Sequence, residues 1–304
     1  MISNKVINKG ITPTNLSSYI KSLISLMKPR VMSLVIFTCA VGFLTSNPDQ
    51  KTFEAIISII LVAIGAGAAG CLNMWYEADV DALMTRTCLR PIPTGKVNKK
   101  QALIFGMLLS IFSVVALYYY TNLLSAFLLL FTITFYLFVY TIWLKRKTPQ
   151  NIVIGGIAGS LPPVIGWTIS TNSISLVPIS LFLIIFFWTP SHFWALSLYK
   201  ADDYKKAKIP MMPITDGAEK TKLYILIYSL LMLPVVILPY IINFSGLVYI
   251  IPVMMLTLYY NFICYDLYKH KKNKFDLKKA KKVFGYSILY LFLIFALFLL
   301  DYVI

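Results

Sequence analysis

Seven of the twelve acidic residues in this chain fall in two short segments, with Glu77, Asp79 and Asp81 in the first and Asp202, Asp203, Asp216 and Glu219 in the second. Asn73, Glu77 and Asp81 are spaced i, i+4, i+8, so on a continuing helix they line one face. Asp79 then points away from it. Three oxygen-bearing side chains at a helix end suit Mg2+, which takes one or two carboxylates and completes its shell with water and substrate phosphate. Arg86, Arg90 and Lys96 follow directly and are spaced to meet the oxygens of a diphosphate. The predicted chemistry is the metal-assisted departure of a diphosphate.

The second segment carries Lys200 immediately before Asp202-Asp203. Lys200 has two readings: an interfacial anchor whose stem lies along apolar surface, or a diphosphate ligand beside the aspartate pair. His192, one of two histidines, stands upstream between apolar and aromatic neighbours. One reading of it is a histidine hydrogen-bonded between helices.

The elements that must hold these residues are apolar. An average soluble domain carries about 25% charged residues; this chain has 13% and is 59% hydrophobic. That balance excludes a soluble enzyme, a disordered tail and a secreted disulfide scaffold. Cys39, Cys71, Cys88 and Cys264 show no CxxC spacing and read as small apolar residues. Stretches able to cross about 30 Å of hydrocarbon recur along the chain. Nine are read: Val31–Thr45, Ala55–Met74, Ala102–Tyr120, Leu123–Leu144, Ile152–Ser170, Leu176–Leu198, Leu223–Ile242, Leu247–Asp266 and Val283–Ile304. The ten-residue alternation of a membrane β-barrel is absent, so the fold class is all-α and polytopic. Long acidic loops after spans two and six, and short turns after spans three and seven, predict two four-helix halves in tandem plus a ninth helix. Pro162-Pro163 predicts a kink in span five. Gly65, Gly67 and Gly70 in span two, and Gly155, Gly156 and Gly159 in span five, predict close helix contacts.

The net charge of +16 reads as a membrane-side bias and not as a nucleic-acid surface. All 28 basic residues except Lys51 fall before span one or after spans two, four, six and eight. The positive-inside rule then puts the N-terminus in the cytoplasm and the C-terminus outside, and an even span count would break the alternation. Residues 1–30 lack a signal peptide's apolar core and cleavage site. They read as a cytoplasmic N-terminal segment, followed by a single intramembrane domain over 31–304.

The first segment has the form N-x-x-x-E-x-D-x-D-x-x-M-x-R-T-x-x-R-P from Asn73 to Pro91. It resembles the aspartate-rich first motif of the intramembrane UbiA-type prenyltransferases, N-D-x-x-D-x-x-x-D or a close variant. Glu77 stands where an aspartate is usual, which alters reach more than chemistry. The strings His192-Phe193-Trp194-Ala195-Leu196, Asp202-Asp203-Tyr204 and Ile209-Pro210-Met211 are similar to the heme-farnesylating branch of that family. Other branches have a fuller aspartate motif in the second segment. The resemblance covers nearly the whole chain in span count and motif placement.

The resemblance implies farnesyl diphosphate and protoheme IX as substrates, and heme O for terminal oxidases as product. It implies catalytic roles for Asn73, Glu77, Asp81, Lys200 and Asp203, and Mg2+ or Mn2+ bound by Asn73, Glu77, Asp81, Asp202 and Asp203. Arg86, Arg90, Lys96 and Lys200 are then diphosphate ligands. The second reading of His192 becomes a heme contact, through iron or a propionate. A bacterial inner membrane, and downstream partners in heme A synthesis or oxidase assembly, follow from the same resemblance. Two alternatives are a UbiA-type enzyme with another aromatic or tetrapyrrole acceptor, against which the HFWAL string argues, and a transporter. Acidic residues at the cytoplasmic mouth fit diphosphate chemistry better than a midplane ion path.

Overall fold

In hydrocarbon each backbone N–H and C=O must find its partner within its own segment, which leaves helices as the open solution for an apolar chain without strand alternation. The computed structural model describes residues 15–46, 52–270 and 275–304, and among them only helices and turns occur. Eight helices are long and apolar enough to span: α3 (Thr52–Tyr76), α5 (Lys99–Tyr120), α6 (Leu123–Thr134, running on as a π-helical stretch Phe135–Leu144), the pair α7 (Asn151–Ser160) and α8 (Pro162–Thr171), α9 (Leu176–Tyr199), α12 (Gly217–Ile241), α13 (Leu247–Lys269) and α14 (Phe275–Val303). The pair α1 (Leu16–Leu26) and α2 (Pro29–Leu44), bent by 53° at Met27-Lys28, is long and apolar enough together to count as a ninth. The short helices α4 (Ala78–Leu83), α10 (Ala201–Lys206) and α11 (Met212–Thr215) lie in the loops after α3 and α9. Of the basic residues counted for orientation, Lys5, Lys9, Lys51, Lys271, Lys272 and Lys274 lie outside the described residues.

Local sequence sets several boundaries. Asn98 and Gln101 form a reciprocal capping box at the start of α5, and Asn122 caps α6 through the Ser125 N–H, each satisfying donors that a helix start leaves open. The helix of span five is interrupted at Leu161, immediately before Pro162-Pro163, because proline has no N–H to give the preceding turn. At the far end of the bundle Asp301 accepts from the Gly246 and Tyr249 N–H groups at 2.6 and 3.0 Å. A carboxylate at a helix N-terminus is favoured by the dipole, and this one ties α14 to the start of α13.

Packing follows the small residues. α2 lies on α8 so closely that a Cβ at Gly42 would stand 2.1 Å from the Pro163 carbonyl oxygen, and one at Gly166 2.0 Å from that of Cys39. Two large apolar cores result, beside a smaller one of Leu26, Cys71, Met74, Val97 and Ala102. One joins α2, α3, α5, α6 and α8 through residues such as Phe43, Val62, Leu117, Leu129 and Ile165. The other joins α9, α12, α13 and α14 through Leu181, Trp194, Met232, Tyr260 and Phe295. Val80 and Met84 of the first acidic segment belong to the second core, so that segment is held across the junction of the two halves.

Candidate active site

α3 ends at Tyr76 and α4 begins at Ala78, yet the helical register survives the break. The Glu77 N–H donates to the Asn73 carbonyl at 2.9 Å and the Asp81 N–H to the Glu77 carbonyl at 2.8 Å. Asn73, Glu77 and Asp81 therefore share one face, as their spacing predicts. All three are at most 2% exposed. Asp79 points outward and takes Arg146 through two hydrogen bonds of 2.9 and 3.1 Å.

Buried carboxylates need partners, and cations supply them. Arg90 donates from Nη1 to both oxygens of Asp81 at 2.8 Å. Lys145, just past the π-helical stretch, donates to Glu77 Oε2 at 2.5 Å. Asn73 accepts from Lys28 at 2.7 Å, and its amide donates to Glu77 Oε2 and Thr141, each at 3.0 Å. Glu77 Oε1 is buried with no hydrogen-bond partner.

The second acidic segment reaches the first. Asp203 accepts from the Thr85 hydroxyl at 2.9 and 2.7 Å, across 118 residues of sequence. Burial works to raise the Asp203 pKa. The Thr85 hydrogen bonds, with Lys200 and Lys206 nearby, outweigh it and hold the carboxyl below the usual carboxylate range. Lys200 is half-buried with its ammonium 6.0 Å from the Tyr199 ring centroid. Arg86, Lys96 and Asp202 are exposed. The structure thus gathers Asn73, Glu77, Asp81 and Arg90 at one buried point and links Asp203 to it through Thr85. Asp202 and Lys96 stay at the rim.

Spacing in the sequence did not reveal Lys28, Lys145, Thr85 or Thr141, nor the tyrosines beside them. Tyr136 and Tyr140 stack at 5.2 Å on the π-helical stretch, and Lys145 lies 5.7 Å from the Tyr140 centroid. A Cβ at Gly155 would come within 2.3 Å of the Tyr140 ring, so the glycine makes room for it. The available signal was position: Lys28 and Lys145 are basic residues adjoining the ends of apolar spans.

His192 is 7% exposed, stacked between Trp188 at 4.2 Å and Phe284 at 4.6 Å. Its Nδ1 lies 2.6 Å from Ser287 Oγ, whose hydroxyl is directed at the Phe284 carbonyl at 2.6 Å. The single hydroxyl proton cannot serve both. With it on the carbonyl, Nδ1 carries the imidazole proton and donates to Oγ. Nε2 is then left with a lone pair, the arrangement of a metal-binding histidine oriented by its other nitrogen. The hydrogen bond also joins α9 to α14, so both sequence readings of His192 are compatible with one geometry.

Among the described residues no three His, Cys, Asp or Glu side chains are grouped to cage a metal ion. The donors at the buried point are oxygens: two carboxylates, one with an unpartnered oxygen, and an amide. That set fits a hard cation that keeps water and phosphate in its shell, and does not fit a closed zinc site.

A helical bundle of this topology, with buried carboxylates and facing cations at one end, matches one known class. The profile of the UbiA prenyltransferase family covers residues 34–288, and the chain belongs to that family as a multi-pass membrane protein. Among its relatives is the protoheme IX farnesyltransferase of Pelagibacter ubique, 71% identical over 301 residues and 99% of both chains. That of Parvibaculum lavamentivorans is 48% identical over 281 residues, 92% of this chain and 88% of the other. A digeranylgeranylglyceryl phosphate synthase shares the fold with a TM-score of 0.77 at 17% identity, over 94% of this chain and 99% of the other. So does a UbiA homologue from Archaeoglobus fulgidus bound to DMAPP and Mg2+, with a TM-score of 0.64 at 19% identity over 90% and 99%.

Proposed function

We propose that the chain transfers a farnesyl group from farnesyl diphosphate to a vinyl group of protoheme IX, giving heme O. The observation that carries this reading is the buried face of Asn73, Glu77 and Asp81 with its facing cations, joined through Thr85 to Asp203. The relatives' shared activity supplies the acceptor. Mg2+ or Mn2+, when bound, neutralises diphosphate oxygens and so favours the departing group. Asn73, Glu77 and Asp81 are its ligands in this reading, with Asp202 and Asp203 completing the site from the second loop. Arg86, Arg90, Lys96 and Lys200 bind the diphosphate.

The C–O bond of the allylic ester breaks with its electron pair leaving on the diphosphate. The rings of Tyr136 and Tyr140 offer π faces to the electron-poor carbon that remains. That carbon bonds to the terminal vinyl carbon, and water adds to the resulting cation with release of a proton. His192 binds heme through Nε2 while Ser287 holds its other nitrogen. The basic loops face the cytoplasm of a bacterial inner membrane, and the N-terminus lies on the same side. The product, heme O, goes on to heme A synthesis or oxidase assembly. Incubating detergent-solubilised protein with farnesyl diphosphate, protoheme IX and Mg2+ should give heme carrying one farnesyl and one hydroxyl, read by mass. An unmodified heme pool, with farnesyl transferred to another aromatic acceptor, would refute the assignment.

A further inference from the structure

The first helix, α1, stands apart from the site. Its start is fixed locally: Asn15 accepts from the Ser18 N–H at 2.9 Å, which satisfies one donor of the first turn. At eleven residues it is about 16 Å long, roughly half of what crossing the hydrocarbon takes. The bend of 53° turns it out of line with α2.

Three faces run along α1. The first packs on the protein. Leu26 is buried with Cys71 and Met74 of α3, Val97, and Ala102 of α5, and Tyr19 and Leu23 pack against the same group. Cys71 and Met74 fall in the last turns of α3, and Ala102 in the first turn of α5. Thus α1 lies across the ends of two spans, at the level where hydrocarbon gives way to headgroups. The second face carries Leu16, Ile20 and Ile24, spaced i, i+4, i+8 and 74, 47 and 51% exposed. The third carries Ser17, Lys21 and Ser25, all exposed. With 3.6 residues per turn, the open apolar stripe falls between the packed face and the polar one.

That order of faces discriminates between three placements. Standing in water, α1 would present an apolar stripe to solvent. Continuing the span of α2, it would turn the exposed Lys21 into hydrocarbon, where a lysine is costly. Lying along the boundary, it sinks the stripe into the acyl layer and keeps Lys21 among headgroups and water, as amphipathic interfacial helices do. The stripe also extends a surface that already faces lipid. Phe105 of α5 joins the cluster under α1, and its neighbours Ile104 and Leu108 are 48 and 62% exposed. Charge agrees with this placement. No Asp or Glu precedes Asp49, and Lys21 and Arg30 are exposed, a sign that anionic phospholipid attracts.

We propose that α1 is an interfacial membrane anchor. It lies in the headgroup region of the leaflet at the acidic-loop end of the bundle, with Leu16, Ile20 and Ile24 in the acyl layer and Ser17, Lys21 and Ser25 toward water. The anchor is independent of which acceptor the chain prenylates.

The test uses the full chain in a Cys88→Ser background, in vesicles of phosphatidylcholine and phosphatidylglycerol. Nitroxide labels are placed singly through Leu16→Cys, Ile20→Cys and Ile24→Cys on one face and Ser17→Cys, Lys21→Cys and Ser25→Cys on the other. All six positions are exposed, so the label displaces no packed side chain. Electron paramagnetic resonance then reads collision with oxygen, which concentrates in hydrocarbon, against collision with a water-soluble nickel chelate. The oxygen-to-nickel ratio should oscillate with the helix period. It should be at least about threefold higher on the Leu16, Ile20 and Ile24 face, whose labels should lie about 5–10 Å below the headgroups. Nickel access at all six positions would place α1 in water and overturn the proposal. Oxygen access at all six would make α1 part of the span and overturn it equally. A stripe shielded from both reagents would mean a protein occupant, such as a second copy of the chain, and would overturn it as well.

Discussion

His192 shows how much a single hydrogen bond decides. With the Ser287 hydroxyl on the Phe284 carbonyl, Nδ1 is the nitrogen that carries the proton, and the stacked Trp188 and Phe284 rings hold the ring plane. His192→Ala should therefore lower heme affinity or shift the Soret band in a titration, while affinity for farnesyl diphosphate stays at the parent value. If both affinities and the thermal stability fell together, the residue would be a helix bridge and nothing more. At this scale the sequence was most legible where side chains repeat on one short helix face, as in Asn73, Glu77 and Asp81. It named no partner for Lys145 or Thr85, because Glu77 and Asp203 lie 68 and 118 residues away. Contacts at that range come from tertiary packing and leave no periodic trace. The rarity of histidine singled out His192, but its partner on α14 was beyond reach for the same reason.

At the scale of elements, the contact between α2 and α8 carries the clearest expectation. Gly166→Ala drives a Cβ into the Cys39 carbonyl, and neither backbone can yield without parting the helices. It should cost about 3 kcal/mol or more, above the usual range for overpacking. Gly159→Ala meets no atom within 4 Å and should change stability by less than about 1 kcal/mol. Thermal unfolding of the purified variants compares them; equal melting temperatures would mean that α2 and α8 are not so closely packed. Apolar runs and polar turns marked the spans well, since burial in lipid imposes length and composition together. The Pro162-Pro163 break was legible because proline acts through its own backbone. Neither the bend at Lys28 nor the π-helical stretch was foreseen. The bend falls at Lys28-Pro29, where proline opens α2 while Met27 and Lys28 lie over Gly67 and Gly70 of α3, and the π-helical stretch lies where Gly155 makes room for Tyr140.

At the scale of the whole molecule, the two halves meet where the acidic loops meet, and the distribution of basic residues predicts that this end faces the cytoplasm. Cysteines introduced at Lys99 and Lys206, in a Cys88→Ser background because Cys88 is the one half-buried native thiol among three buried ones, should label only from the cytoplasmic side of oriented vesicles. Labelling of either from outside would reverse the topology. If diphosphate departs from the buried face of Asn73, Glu77 and Asp81, turnover must depend on the Asp81 charge, and Asp81→Asn isolates it. The substitution keeps the shape of the side chain and removes its charge. Heme O formation should fall at least about a hundredfold, in the range seen when a group stabilising developing charge is removed, with thermal unfolding still cooperative. Parent-level turnover in Asp81→Asn, or in the unaltered chain with excess chelator, would contradict the account.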